Sequence, residues 1–332
     1  MKPKISIDLG SSFTKIYRAN ADVVLYEPTC IAIKKNNYKS PVAFGYEAEK
    51  LIGKTASDVQ VIYPVNNVEI IDEKALKALL IEFISRVRAP LEFKPDILFT
   101  VPCGATRESI KCFEKIFNDI GYYNIEYAEA PILSLIGADA LLDDGKTSFI
   151  IDFGGSQTTI CALTISGVIC GASIEYGGNS LNNLIINHLK NSLEITISEN
   201  QAESLKTSIA GLKDDDETKV VVHGKDLNTG KPKTSPIKAC DIYDAVVVFI
   251  DKILEVTNII ISKLSEDSID DLHNNGIILT GGGSLLYALK DYLEEKLSLT
   301  CHIPKESEIV VSIGGGIVVE NKQLLNKIKL KV

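Results

Sequence analysis

Motifs that would mark several common chemistries are missing from this chain of 332 residues. Its cysteines, Cys30, Cys103, Cys112, Cys161, Cys170, Cys240 and Cys301, are odd in number and never in a C-x-x-C arrangement. That is the pattern of reduced thiols in a cytosolic fold, most of them expected in the core, rather than of a disulfide framework. The histidines are equally dispersed, so no His/Cys/carboxylate cluster at metal-ligand spacing points to zinc. No apolar run is long enough to span a bilayer, and Met1 to Lys4 lead straight into a strand pattern without a signal-peptide core, from which a cytoplasmic location is expected. With a formal net charge of -9 and lysines scattered among carboxylates, there is no basic stripe, which disfavours a nucleic-acid partner. Gly53-Lys54-Thr55 and Gly145-Lys146-Thr147 resemble the end of a P-loop, but Ala48 and Ala140 stand where that loop requires glycine. A low-complexity linker is absent as well.

What is present reads as a packed α/β protein. Apolar residues make up 45% and charged residues 24%, a balance that favours folding, and the length suits two domains rather than one core. Two segments repeat each other, Ile5 to Thr14 and Ile150 to Thr159. In each, an apolar strand ends in Asp, then come Gly and small hydroxyl residues, then a second β-type run. Asp8 and Asp152 lie 144 residues apart, a domain's length, so the chain reads as two related halves. Helical periodicity covers Glu73 to Arg88, a segment with Ile110, Phe113, Phe117 and Ile120 on one face, Ser180 to Ser192, Glu199 to Gly211, and Ile242 to Leu264. Ile97 to Val101 reads as a buried strand closed by Pro102, Ser148 to Ile174 as a hairpin, Lys213 to Glu217 as a charged turn, and Val220 to Pro236 as two strands around Asn228-Thr229-Gly230. Ile277 to Gly283 reads as a strand breaking into a glycine loop, followed by a helix carrying Leu285, Leu286, Leu289 and Leu293.

Glycines let backbone N–H groups close on a phosphate, and Ser or Thr hydroxyls add donors. Two such turns could grip one polyphosphate, with Asp8 and Asp152 holding Mg²⁺ through water and Lys15 supplying compensating charge. The Gly281 to Gly283 loop could let a base or ribose lie against bare backbone. A lone Asp-x-Gly after a strand is usually only a β-turn. Two copies a domain apart, with a triple-glycine loop, carry the weight.

This pattern resembles the superfamily of actin, DnaK-type chaperones and sugar kinases, in which two ribonuclease-H-like domains, each a mixed sheet flanked by helices, clasp ATP in a central cleft. The resemblance spans almost the whole chain. Its connecting segments, Val42 to Gly53, Tyr63-Pro64-Val65, Val101 to Thr106, Pro131 to Ala138 and Leu279 to Leu286, are most similar to the MreB family of bacterial actins. By that likeness the α/β fold comprises a first domain of residues 1–140 and 308–332 and a second of 141–307, with a smaller subdomain at about 180–240. The likeness implies ATP or ADP with Mg²⁺ held by a first phosphate loop (Asp8, Gly10, Ser11, Ser12, Phe13, Thr14, Lys15) and a second (Asp152, Gly154, Gly155, Ser156, Gln157). It adds Gly177, Gly178 and Asn179, an adenosine loop (Gly281, Gly282, Gly283, Ser284), and Glu203 and Lys206 at base and ribose. Without the likeness, Glu203 and Lys206 read as an ordinary ion pair on a solvated helix face. Segment 88–95 sits where the family carries a membrane-inserting loop. Its Leu91 and Phe93 are the anchor candidates, although a turn of this kind more often tucks such residues back onto its own domain.

Departures from the family are informative. The glutamate that positions the attacking water is Ala130 here, and Glu129 stands one residue earlier. At a helix start one residue turns a side chain by about 100°, so Glu129 would point elsewhere and hydrolysis, with Asp152 as the other catalytic candidate, would be slow or lost. Asn179 replaces the usual Asp, and Lys15 the usual apolar residue. The resemblance implies a nucleotide-dependent filament, self-associating head to tail at the inner membrane face with membrane-bound cell-shape proteins. The alternatives are a non-polymerising adaptor of the same superfamily and a plasmid-segregating filament. A small-molecule kinase would need a catalytic aspartate beside an acceptor pocket, for which no segment stands out.

Overall fold

The computed structural model describes residues 2–35, 37–54, 58–66, 69–139 and 145–330. The chain divides into two compact units: Met1–Lys146 with Leu163–Ile169 and Ile309–Val332, and Thr147–Ala162 with Cys170–Glu308. The domain boundary expected at 140/141 lies outside the described residues.

The first unit is built on a five-stranded sheet in the order Ile125–Glu129, Asp96–Val101, Lys4–Leu9, Phe13–Arg18, Asp22–Pro28. The first three strands are parallel and the last two antiparallel to their neighbours. Alternation along the strands decides the faces. Ile5 and Ile7, aligned with Ile97, Phe99 and Tyr127, pack with Leu76, Leu80 and Phe83 of helix Glu73–Arg86 and with Phe113 and Phe117 of helix Arg107–Asp119. Each such fully buried side chain contributes ~1.5–3 kcal/mol. Asp72 caps the first helix through the Ala75 N–H at 2.9 Å, and Thr106 caps the second through the Ser109 N–H at 3.2 Å.

The opposite face of the sheet carries helices Ala130–Gly137 and Val310–Glu320. They cross backbone to backbone because glycine stands at the contact. A Cβ on Gly137 would overlap the Val310 carbonyl oxygen, and one on Gly314 would overlap the Leu133 carbonyl oxygen. The next two glycines face other neighbours, Gly315 the Ser6 hydroxyl and Gly316 the Tyr17 ring. All three of Gly314, Gly315 and Gly316 are buried.

A second five-stranded sheet has the order Gly167–Ile174, Thr158–Thr164, Ser148–Phe153, Ile277–Thr280, Cys301–His302. The segment expected as a hairpin from Ser148 is therefore three strands, because the apolar run is broken at Gly154 as well as at Gly167. Helices Gly178–Leu193, Glu199–Ile209 and Tyr243–Ile261 pack through Leu181, Ile185, Leu205, Phe249 and Ile253 into one core with Phe149 and Ile151. Strands Lys219–Asp226 and Pro232–Lys238 pair around the expected turn, where the Asp226 carboxylate accepts from the N–H groups of Asn228 and Thr229.

Two expectations need correction. Leu285 closes a 3₁₀ turn, Gly282–Leu285, and the α-helix begins only at Leu289, because Ala288 is left-handed at φ 59° and breaks the helical path. Only Cys30, Cys161 and Cys301 are buried, whereas Cys103, Cys170 and Cys240 are partly exposed and Cys112 lies on the surface.

In a solvated helix Gly→Ala stabilises by up to about 1 kcal/mol. At Gly314 the sign reverses: overpacking against the Leu133 carbonyl costs ~1–3 kcal/mol or more, so Gly314→Ala is expected to lower the urea midpoint without changing the m-value.

Candidate functional site

The first turn forms where strand Lys4–Leu9 gives way to strand Phe13–Arg18. The Gly10 N–H donates to the Phe13 carbonyl at 3.0 Å, and a Cβ on Gly10 would sit 2.8 Å from that same oxygen, so only glycine closes the turn this tightly. The residue that follows strand Asp22–Pro28 locks it. The Thr29 N–H donates to the Ser12 carbonyl at 2.8 Å, the Thr29 hydroxyl donates to the Gly10 carbonyl at 2.7 Å, and the Thr14 and Thr29 hydroxyls pair at 2.8 Å. Asp8 and Lys15 are cross-strand partners with Nζ–Oδ2 at 3.4 Å, and the Lys15 ammonium lies 5.6 Å from the centre of the Tyr26 ring. Phe13 packs edge-on to Tyr26 at 5.0 Å and tilted against Tyr46 at 6.3 Å.

The second turn reproduces this geometry 144 positions on. Here the Gly154 N–H donates to the Gln157 carbonyl at 2.9 Å, and a Cβ on Gly154 would lie 2.8 Å from it. The start of helix Gly178–Leu193 is laid on the turn: the Gly178 N–H reaches the Gly154 carbonyl at 3.0 Å and the Asn179 N–H the Gly155 carbonyl at 2.8 Å. A Cβ on Gly177 would stand 2.7 Å from three backbone atoms of the turn. The Thr158 hydroxyl, donating to the Tyr176 carbonyl at 2.7 Å, fixes the approach.

The glycine loop joins the same constellation. Gly281, at φ 79°, faces the Asp152 carboxylate, whose Oδ1 accepts from the Thr280 hydroxyl at 3.1 Å. Gly283 backs onto Phe153, where a Cβ would be 2.7 Å from the Phe153 Cβ. Gly282 between them has nothing within 4 Å of where a Cβ would stand, so this stretch of backbone is bare and open. Ser284 is buried: its hydroxyl donates to the Gly281 carbonyl at 2.7 Å and lies 2.8 Å from the Ser307 hydroxyl, so it shapes the loop from beneath. Lys206 donates to the Gly178 carbonyl at 3.1 Å and to Glu203 at 2.6 Å, and Glu203 also accepts from the Asn182 amide at 2.7 Å. The second unit thus gathers residues 152–157, 177–179, 203, 206 and 281–284 at one place, and residues 8–15 form the corresponding turn of the first.

Glu129 is placed elsewhere. Register pairs it with Val101, and Tyr127 with Phe99, so its side chain leaves the sheet on the same face as Ile7 and opposite to Asp8. Its carboxylate accepts from the Gly104 N–H at 3.4 Å, and as the residue before helix Ala130–Gly137 it forms no side-chain cap. The arrangement does not bring it to the Asp8 turn.

The loop at 88–95 also departs from the commoner behaviour of such turns. Leu91 is 105% exposed with φ 65°, and Phe93 is 78% exposed. A polar base holds the loop: Arg18 donates to the Val87 carbonyl and to Glu92, both at 2.7 Å, Glu92 accepts from the Ala89 N–H at 3.0 Å, and Arg88 donates to the Glu92 carbonyl.

Several contributors escape sequence reading. Thr29 and Ser307 are braces drawn in by tertiary pairing, with no local signal. Leu285, 59% exposed beside the open glycine loop, was legible only as a helix residue, and Tyr287, 53% exposed, carries no sequence signal of its own; Lys213 lies 5.2 Å over the Tyr287 ring. The Gly314 to Gly316 run did carry a signal, three glycines inside an apolar segment. Among the described residues, no helix is long and apolar enough to cross a membrane.

The pattern of the MreB/Mbl protein family matches residues 2–327. The cell shape-determining protein Mbl of Bacillus subtilis is 27% identical over 328 residues, covering 98% of each chain. The crystal structure of MreB5 of Spiroplasma citri bound to ADP superposes with a TM-score of 0.92 at 25% identity, covering 98% of each chain. A MamK double helical filament shares the fold, with a TM-score of 0.80 at 19% identity over 97% of this chain and 99% of that one. The fold is actin-like, and the chain belongs to the MreB/Mbl protein family.

Proposed function

We propose that this protein is a nucleotide-dependent bacterial actin that assembles head to tail into filaments serving cell shape, working at the inner face of the cell membrane. The observation that carries the reading is the pair of glycine turns of equal geometry, together with the bare Gly282 backbone. Kinship to a cell shape-determining Mbl and to an MreB5 bound to ADP supports it.

In this reading both turns take the phosphates of ATP or ADP, since backbone N–H groups at glycine turns stabilise anionic oxygens without a Cβ in the way. Asp8 and Asp152 hold Mg²⁺ through water, and Lys15 offsets the phosphate charge. When bound, the metal neutralises charge on the phosphate oxygens. The Gly281 to Gly283 backbone and exposed Leu285 offer an apolar floor for the adenosine, with Glu203 and Lys206 at its edge. Gly177, Gly178 and Asn179 bring a helix N-terminus to the second turn, where its dipole favours negative charge. Glu129 faces away from Asp8, and Ala130 has no group to orient water, so turnover is slow and the nucleotide acts chiefly as an assembly switch. Leu91 and Phe93 contact the bilayer, weakly for one subunit and cumulatively for a filament. Membrane-bound cell-shape proteins are the further partners.

Pelleting above a critical concentration is expected with ATP or a non-hydrolysable analogue and Mg²⁺, with little phosphate release. Nucleotide binding without assembly at any concentration, with or without liposomes, would replace the filament by a monomeric adaptor. Gly282→Val fills the open space and should weaken nucleotide binding at least tenfold, about 1.4 kcal/mol, while thermal unfolding without nucleotide stays near the parent's. Ala130→Glu puts a carboxylate where the family carries one and should raise phosphate release about tenfold or more; an unchanged rate would mean that loss of this glutamate is not what limits hydrolysis.

A further inference from the structure

Three large apolar or aromatic side chains stand out among the described residues for exposure: Leu91 at 105%, Phe93 at 78% and Tyr123 at 77%. They come from two separate segments that the fold brings to one end of the first sheet. The parallel strands Lys4–Leu9, Asp96–Val101 and Ile125–Glu129 all begin there. Segment 121–124 lies directly on segment 94–97: the Lys94 ammonium donates to the Gly121 carbonyl at 2.8 Å and sits 5.0 Å over the Tyr122 ring. Two further bonds tie the same segments, from the Asn124 amide to Asp96 at 2.8 Å and from the Ile97 N–H to the Asn124 carbonyl at 3.1 Å. Tyr122 is buried while Tyr123, between these anchored neighbours, points out to solvent.

We propose that Tyr123 is a third membrane-contacting side chain, completing with Leu91 and Phe93 a preformed patch that seats on an anionic bilayer surface. The inference rests on the reading of 88–95 as a membrane loop. Leu91 and Phe93 supply the apolar burial, and Tyr123 has the amphipathic ring favoured at the headgroup level. Around them stand Lys2, Lys4, Arg18, Arg88 and Lys94 with Glu92 and Asp96, Lys2 paired with Asp96 and Arg18 with Glu92. Counting Asp22 and Glu320 of the neighbouring turn, the five cations exceed these four carboxylates by one, while Asp119 and Glu126 close by are paired with Lys77 and Lys329, in a chain whose net charge is -9. That complements an anionic lipid surface. The patch is also rigid: Glu92, gripped by Arg18, holds the loop while Leu91 keeps a left-handed backbone that a branched side chain adopts only when its surroundings impose it. Exposure is therefore built in and carries little ordering cost on binding.

The chain contains no tryptophan, so Tyr123→Trp and Phe93→Trp each install a single reporter in the full-length protein. With phosphatidylcholine vesicles containing phosphatidylglycerol, both reporters should shift their emission to the blue. Tyr123→Ser should lower the vesicle partition coefficient roughly three- to tenfold, Tyr123→Phe should keep most of it, and nucleotide-dependent pelleting without vesicles should be unchanged in both. An unshifted reporter at 123 beside a shifted one at 93, or a Tyr123→Ser protein that binds as the parent does while Leu91→Ser/Phe93→Ser is lost, would overturn the assignment and leave the loop reading standing. If neither reporter shifts and Leu91→Ser/Phe93→Ser binds as the parent, the loop reading itself fails and this inference with it.

Discussion

Close approach of backbone to backbone, possible only where no Cβ intervenes, is the constraint on which this structure depends. It closes both glycine turns, through Gly10 to Phe13 and Gly154 to Gln157. It lets Gly177 and Gly178 rest on the second turn, and it bares the loop at Gly282. It also lets helices Ala130–Gly137 and Val310–Glu320 cross at Gly137 and Gly314. The helical glycines cost backbone entropy that an alanine would spare. The overlap that any Cβ would meet there means that contact geometry, and not helix propensity, governs these positions.

Polar side chains then hold the turns rather than fill them. The Thr29 hydroxyl and the Thr158 hydroxyl, the latter 144 positions after Thr14, tie each turn to a neighbouring strand or loop, and Ser284 with Ser307 supports the glycine loop from the buried side. Buried hydroxyls of this kind are satisfied locally, so they stabilise one loop shape without leaving charge uncompensated. The charged members behave differently. Asp8 is paired with Lys15 in the first unit, and Glu203 with Lys206 in the second.

Much of this was legible in the chain itself. The Asp-Gly repeat, the triple glycine and the helical periodicities needed only local pattern, because a turn or an amphipathic face is encoded within a few residues. The helix expected from Leu285 failed for a local reason too, a left-handed Ala288 that periodicity does not register. The surface behaviour of loop 88–95 ran against the commoner expectation, since the ion pair that holds Leu91 and Phe93 outward joins residues 74 positions apart, Arg18 and Glu92.

The sequence by itself determined the two-halved α/β architecture, the family likeness, the glycine turns and the substitution of Ala for Glu at position 130. Tertiary structure alone decided which way Glu129 faces, because that depends on the register of its strand against Asp96–Val101 and not on its neighbours in the chain. It also decided that Thr29 braces a turn formed by residues 10–13 and that segment 121–124 lies on segment 94–97. In each case the physical reason is the same: side-chain direction and long-range contact are set by strand pairing between distant segments, which local residue preferences do not encode.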